Sequence, residues 1–324
     1  MNEGSEAGPA GSRTLRTPAK INLGLRLTGR RNDGYHLLES VFAPVDLHDE
    51  ISVAWEAGPP RIELELHEDR LNALPAALSG VAGGPENLVY RAAQAFQSAT
   101  GLGGRIRLSL RKSIPAGAGL GGGSSDAAAV LRALVALAGP RAPDPIELAS
   151  IALGLGADVP FFLAPAPALV SGIGEIIEPI SGLPRLPLVL ANPAISIATA
   201  EVYRVADAMA DSLTGPEPGS TMRAISRLQS EKGNWPLALG ELLVNDLEPA
   251  ATRLCPPIAA LIERMRGLGS LAVSMSGSGA TVFGVFESAE KAEEAAQELK
   301  TSPNSEDLWV QATRVLAHSA SAAS

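Results

Sequence analysis

At 324 residues, with 46% hydrophobic and 4% aromatic side chains, the chain reads as an ordinary globular sequence, long enough for two domains or one elaborated one. Its net charge of -9, with no lysine or arginine block to offset it, argues against nucleic acid or an anionic membrane as partner and favours a small molecule. One cysteine, Cys255, excludes an internal disulfide or a cysteine-rich zinc site and points to a reducing compartment, the cytoplasm.

Residues 1–13 mix acids, glycines and serines without an apolar core, so they read as a disordered tail and not as a secretory signal. No stretch reaches the roughly 18–20 uninterrupted apolar residues of a membrane helix. Residues 15–27 alternate as a strand, Arg30-Arg31-Asn32-Asp33-Gly34 supplies a turn, and residues 35–45 return. Residues 51–55 and 61–67 alternate again around Gly58-Pro59-Pro60, which predicts an antiparallel or mixed sheet. A helix is expected over 86–100, ended by Gly101 to Gly104, then a half-buried strand over 105–110 leading to a glycine loop.

Beyond that loop, Ser124 or Ser125 is expected to cap a helix running to about residue 137, with Asp126 in its first turn where the helix dipole favours a negative charge. A further helix over 146–155 delivers the chain to Gly156-Ala157-Asp158-Val159-Pro160. Residues 168–180 look like a hairpin, and residues 183–187 are the linker candidate, dividing the chain into domains 14–184 and 185–324. The second part predicts strands near 188–190, 272–275, 281–286 and 310–315, helices near 199–211, 246–266 and 288–300, and surface loops at 211–220 and 231–235.

The loop Pro115-Ala116-Gly117-Ala118-Gly119-Leu120-Gly121-Gly122-Gly123-Ser124-Ser125 is the densest signal. Its glycines permit positive φ and close approach of a ligand, and it opens onto a helix start where unpaired N–H groups stabilise an anion. The Walker pattern fails, because glycine and not lysine precedes Ser124. The dinucleotide fingerprint is present as Gly117-x-Gly119-x-x-Gly122, but the acid downstream, Asp144, lies in Ala142-Pro143-Asp144-Pro145 where no strand can end. A ligand-free loop is the bland alternative, and ordering so many glycines without a ligand argues against it.

Pro115 to Ser125 resembles the phosphate loop of the GHMP kinase superfamily. Further matches in the family's order are Pro18-Ala19-Lys20-Ile21-Asn22-Leu23, Arg31-Asn32-Asp33-Gly34-Tyr35-His36, Gly156-Ala157-Asp158-Val159-Pro160-Phe161-Phe162, Ala200-Glu201-Val202-Tyr203, Asn245-Asp246-Leu247-Glu248 and Ser276-Gly277-Ser278-Gly279-Ala280. Within the superfamily they are most similar to the branch that acts on a cytidine diphosphate ester of methylerythritol. The resemblance implies an α+β, two-domain GHMP kinase fold, with an N-terminal domain like ribosomal protein S5 and a ferredoxin-like C-terminal domain. It also implies ATP and Mg2+ as cofactors, and phosphorylation of the ester's 2-hydroxyl in the non-mevalonate route to isoprenoids.

Carried over residue by residue, the resemblance makes Asp158 the catalytic base and Lys20 its cationic partner. Read alone, Asp158 is a turn or capping aspartate and Lys20 an edge-strand lysine. Nucleotide contacts fall on Pro115, Gly117, Gly119, Leu120, Gly121, Gly122, Gly123, Ser124 and Ser125, with Asn87 and Lys112 nearby; the latter two read equally as helix-start and surface-strand residues. Asn22 shares a strand face with Lys20 and is a donor to substrate oxygens. Tyr35 and His36 hold the cytosine, Tyr203 completes a sandwich, Thr199 reaches the sugar alcohol, and Gly277 lines the cleft; the alternatives are surface packing, helix packing, a cap and a hairpin turn. No metal-ligand motif is visible, and a monomer or weak homodimer is expected. Two other readings stay open: a GHMP kinase for homoserine, mevalonate or phosphomevalonate, and a silent nucleotide-binding relative.

Overall fold

The computed structural model describes residues 10–68, 74–209, 217, 219–230, 235–302 and 308–317. Two long strands, β1 (Gly11–Arg30) and β2 (His36–Glu56), pair antiparallel along most of their length. The register slips between Pro18 and Ala19, where proline withholds its ladder donor, and again between Asn22 and Leu25. Strand β1 starts at Gly11, inside the segment read as a tail. Its polar residues Gly11 to Arg16 are mostly exposed but pair backbone to backbone with Trp55 to Glu50, so pairing and not burial orders them. Residues 1–9 lie outside the described residues.

The other edge of β2 is divided between partners. After β3 (Arg61–Glu68), the one-turn α1 (Ala76–Ser79) and α2 (Leu88–Thr100), strand β4 (Arg105–Lys112) pairs with Glu50 to Glu56. Next come α3 (Gly122–Ala138), α4 (Pro145–Leu155) and α5 (Val159–Leu163), and then β5 (Ala168–Gly172) takes Leu38 to Phe42 and is followed by β6 (Ile176–Pro179). The sheet runs β3-β4-β2-β5-β6 with β1 laid along β2, and it is mixed because β3 and β4 are parallel. Helices α2 and α3 cover it, burying Phe96 edge-on against Trp55 with ring centroids 5.9 Å apart. Full burial of such a side chain contributes about 1.5–3 kcal/mol.

A second sheet begins at β7 (Pro187–Asn192), which precedes α6 (Thr199–Met209), α7 (Ser220–Ser230), α8 (Trp235–Leu242), α9 (Glu248–Leu254) and α10 (Pro256–Gly267). It is completed by β8 (Ala272–Met275) and β9 (Val282–Val285), and by β10 (Trp309–Arg314) after α11 (Ala289–Thr301). The antiparallel order is β10-β7-β9-β8. The two sheets share one apolar core, in which Ile21, Val41 and Val45 meet Leu188, Leu190 and Phe283. Leu183 and Leu186 are buried in that core, so the expected linker is packed chain and not a free connector.

Several expectations need correction. The single helix over 246–266 is two, because Pro256 and Pro257 lack the N–H groups that would continue α9, and Cys255 is extended at φ -136°. Helix α7 lies between the two expected loops; it buries Ala224, Ile225 and Leu228, while 211–216, 218 and 231–234 lie outside the described residues. Helix α3 starts at Gly122 and not at a serine cap.

Candidate active site

The glycine loop joins β4 to α3 and is held from below. Asp49 Oδ1 accepts from the backbone N–H groups of Ser113 (2.6 Å) and Ile114 (2.8 Å), fixing the chain just before Pro115. Lys112 Nζ bridges Asp49 and Asp126, donating to Asp126 Oδ2 at 2.8 Å, while Thr17 Oγ1 donates to Asp126 Oδ1 at 2.6 Å. Both carboxylates are almost fully buried. Burial first, and then the neighbouring Asp126, push the Asp49 carboxyl upward, whereas the two carboxylates hold Lys112 protonated against its own burial. Lys112 is therefore no surface-strand residue, and Asp126 is not a first-turn acid: it is the fifth residue of α3 and belongs to this buried network.

Above that base the backbone turns through three left-handed glycines, Gly117 (φ 64°), Gly119 (φ 76°) and Gly121 (φ 69°). A side chain at Gly119 would collide with the Ser276 carbonyl, and one at Gly121 would lie 2.9 Å from the Phe162 ring and 3.1 Å from the Lys20 stem. Leu120 carries the loop through its backbone: its side chain is in the core and its carbonyl accepts from the Lys20 N–H at 2.9 Å. Pro115 is buried, Gly123 is exposed, Ser124 is half-buried, and Ser125 is buried with its N–H on the Gly121 carbonyl. No side chain caps α3, which leaves its amino end open to an anion. Asn87 has a local task as cap of α2, accepting from Val89 N (2.9 Å) and donating to the Ala82 carbonyl (2.7 Å).

Beside the loop stands the pair expected from the sequence. Lys20 Nζ lies 3.6 Å from Asp158 Oδ2, with the lysine side chain 5% exposed and the aspartate 32%. Asp158 occupies the N-cap position of α5 but makes no capping bond, so the capping alternative fails and its carboxylate stands about one-third exposed beside Lys20. Lys20 is further held by Asn22 Oδ1 (2.6 Å) and sits over the Phe42 ring at 4.5 Å. Asn22 is 2% exposed; its Oδ1 accepts from Lys20 and one N–H of its Nδ2 donates to Ser40 Oγ at 2.9 Å, so it orients Lys20 from the neighbouring strand position.

The two halves of the molecule meet at the turn after β8. Ser276 Oγ donates to the Gly119 carbonyl (3.0 Å) and accepts from the Asn22 N–H (3.3 Å). Asn245 Nδ2 donates to the carbonyls of Met275 (2.7 Å) and Gly277 (2.8 Å). Gly277, at φ 59°, approaches Asn22 closely, so it is a tight turn that also touches the site. Thr199 Oγ1 is 2.9 Å from Ser278 Oγ and so ties the start of α6 to the same turn.

Next to this pair a cavity of about 600 Å³ opens between the β1–β2 turn and α6, lined by Arg30, Tyr35, His36, Thr199, Tyr203 and Asp207 among others. The rings of His36 and Tyr203 stack with centroids 4.8 Å apart and planes at 29°, so one face of Tyr203 is covered by His36. Tyr35 is 62% exposed and free to lie against a ligand. Burial, and then the charge of Asp158, push the Tyr203 phenol up to about 12, which keeps it a hydrogen-bond donor and places it within the field of the Lys20–Asp158 pair. Sequence reasoning passed over Asp207, whose Oδ1 lies 2.6 Å from His36 Nε2, and over Arg30, 3.4 Å from its other oxygen. The available signal was the spacing of Tyr203 and Asp207, one helical turn apart. Asp49, Thr17 and Ser276 were missed as well, because nothing local marks a strand acid or a turn serine as a tie between distant segments.

Among the described residues no helix is long and apolar enough to cross a membrane. Residues 87–165 match the family model for the GHMP kinases N terminal domain and residues 229–304 that for the GHMP kinases C terminal domain. The chain is 40% identical over 306 residues to a 4-diphosphocytidyl-2-C-methyl-D-erythritol kinase of Geobacter metallireducens, covering 94% of this chain and 99% of the relative. It superimposes on a crystal structure of 4-(cytidine 5'-diphospho)-2C-methyl-D-erythritol kinase with a TM-score of 0.72 at 38% identity, covering 94% of this chain and all of that one. A homoserine kinase of Cytophaga hutchinsonii, 17% identical with a TM-score of 0.68 over 95% of both chains, shares the fold alone. With a buried lysine beside a cleft aspartate, an open glycine-loop helix and near-full-length identity of this order, the chain belongs to the GHMP kinase family, in its 4-diphosphocytidyl-2-C-methyl-D-erythritol kinase branch.

Proposed function

We propose that the enzyme transfers the γ-phosphoryl group of ATP to the 2-hydroxyl of 4-diphosphocytidyl-2-C-methyl-D-erythritol, a step of the non-mevalonate route to isoprenoid precursors. The observation that carries this reading is the Lys20–Asp158 pair, which adjoins the uncapped amino end of α3 on one side and the His36–Tyr203 cavity on the other. The backbone N–H groups of Gly117 to Ser124 receive the nucleotide phosphates, aided by the positive end of the α3 dipole. Pro115, Lys112 and Asp126 act beneath the loop, and Asn87 fixes the neighbouring start of α2.

The acceptor's cytidine enters the cavity, where Tyr35 offers an aromatic face and His36 a hydrogen-bonding edge. Thr199 and the Gly277 turn border the sugar alcohol. The hydroxyl oxygen then attacks the γ-phosphorus as the bond to the bridging oxygen of ADP breaks, and Asp158 takes the hydroxyl proton. Lys20, already desolvated and oriented by Asn22, stabilises the charge that spreads over the transferring group. Magnesium, when bound, neutralises charge across the β and γ phosphates. The hydroxyl of Ser124 or Ser125 would offer it a ligand at the start of α3, and among the described residues no three His, Cys, Asp or Glu side chains gather to hold an ion without nucleotide.

The test is incubation of the purified protein with ATP, magnesium chloride and the cytidine ester, with products read by mass spectrometry and phosphorus NMR. One phosphoryl group gained at the 2-hydroxyl, with equimolar ADP, is the expected result. ATP binding without any phosphorylated ester would overturn the proposal and favour the silent relative.

A further inference from the structure

Asp207 lies one turn beyond Tyr203 on α6, and neither the glycine loop nor the phosphoryl-transfer pair needs it. Its Oδ1 is 2.6 Å from His36 Nε2 and its Oδ2 is 3.4 Å from Arg30 Nη1, so both oxygens are engaged across the mouth of the cavity. A carboxylate can only accept, so the proton between Asp207 and the imidazole belongs to His36 Nε2. In the neutral ring a proton held on Nε2 leaves Nδ1 as a lone-pair acceptor. Nδ1 has no hydrogen-bond partner among the described residues. The Tyr203 ring, stacked at 4.8 Å, prevents the imidazole from tipping away from this arrangement.

We propose that Asp207 is a positioning residue that fixes the His36 imidazole as an acceptor at Nδ1, and that this sets the preference of the cavity for cytosine over uracil. The inference rests on the reading that the cavity receives a cytidine diphosphate ester. Cytosine presents an amino donor at position 4, where uracil presents a carbonyl acceptor. An acceptor fixed at Nδ1 pairs with the first and leaves the second facing a lone pair, and a site built around one hydrogen bond rejects the analogue that cannot make it. Without Asp207 the ring can exchange its proton between nitrogens and turn, so either base finds a partner.

The experiment compares the cytidine ester with its uridine analogue in the wild-type enzyme and in Asp207→Ala, measuring kcat and KM for each, with the KM for ATP as control. Loss of one oriented hydrogen bond should raise the KM for the cytidine ester about 10-fold, leave kcat within about 2-fold, and cut the cytidine-to-uridine ratio of kcat/KM about 10-fold. Asp207→Glu, which keeps the acceptor, should recover part of that ratio, an effect that a merely structural role would not give. An unchanged ratio in a variant with normal ATP KM overturns the proposal while leaving the functional reading intact. A wild-type enzyme that phosphorylates neither ester overturns the functional reading, and the proposal with it. Should Asp207→Ala fail to fold, the nitrogen-15 spectrum of the wild-type protein decides, with His36→Gln assigning the signal: a protonated Nε2 and bare Nδ1 support the proposal, and the reverse tautomer contradicts it.

Discussion

At the glycine-loop end of the cleft nearly every group is enclosed. Lys20 is wedged against Asn22, Phe42 and Asp158, the loop is pinned from below by Asp49 and from the side by Ser276, and three left-handed glycines leave no room for side chains. At the cavity end, Tyr35 is 62% exposed, and His36 and Tyr203 are fixed by one stack and one carboxylate on the surface of a single helix. The contrast separates two kinds of dependence. Where the backbone itself is the binding surface, fold and chemistry fail together. Where a few side chains line a cavity, substitution is expected to change affinity while the fold and the chemical step persist.

Asp158→Asn gives the sharpest test at the enclosed end, because it keeps shape and removes only the proposed proton acceptor. We expect kcat to fall at least ~10²-fold, the ordinary scale of general-base catalysis, with ATP binding retained by calorimetry. Near-normal turnover would remove Asp158 from that role. Gly119→Ala should couple the two failures: an alanine forced into the left-handed region and against the Ser276 carbonyl costs at least ~1–2 kcal/mol in urea unfolding, and the ATP KM should rise more than ~10-fold. Retained stability with retained ATP affinity would break the link between loop geometry and nucleotide binding. At the open end, His36→Ala should raise the KM for the cytidine ester about 10-fold while kcat and unfolding stay near wild type. A fall in kcat of the same size as the KM effect would show that the two ends are not separable.

The smallest effect concerns pH. Asp49 is pushed up by burial and by Asp126, so the folded protein holds a proton that the unfolded chain has already released above the ordinary carboxylate range. Its contribution to stability therefore falls as pH rises through that range towards neutrality. Asp49→Asn removes the titrating group, and unfolding followed from about pH 5 to about pH 8 should show a flatter slope than wild type. An identical slope would mean that the network below the loop carries no titrating charge.

Much of this arrangement was legible before the structure. The alternation of residues 15–27 placed Lys20 and Asn22 on one face, and the density of glycines at 117 to 123 pointed to a loop of positive-φ backbone entering a helix start. What could not be read was long-range by nature. Asp126 looks like a helix acid until Thr17 and Lys112 are seen on either side of it, 109 and 14 residues away along the chain. Ser276 looks like a turn serine until it bridges Gly119 and Asn22, and Asp207 gains its meaning only when the β1–β2 turn brings His36 against α6. The break at Cys255 was different in kind: Pro256 and Pro257 announced it locally, and the apolar periodicity on either side masked it.

The central claim is that one enclosed transfer site serves one cytidine-bearing acceptor. The most direct measurement is kcat/KM with ATP and magnesium for 4-diphosphocytidyl-2-C-methyl-D-erythritol, homoserine and mevalonate, each product confirmed by mass spectrometry. Turnover confined to the cytidine ester is the predicted result. Faster phosphorylation of either of the other two would contradict it, keeping the kinase fold but removing the cytidine from the His36 cavity.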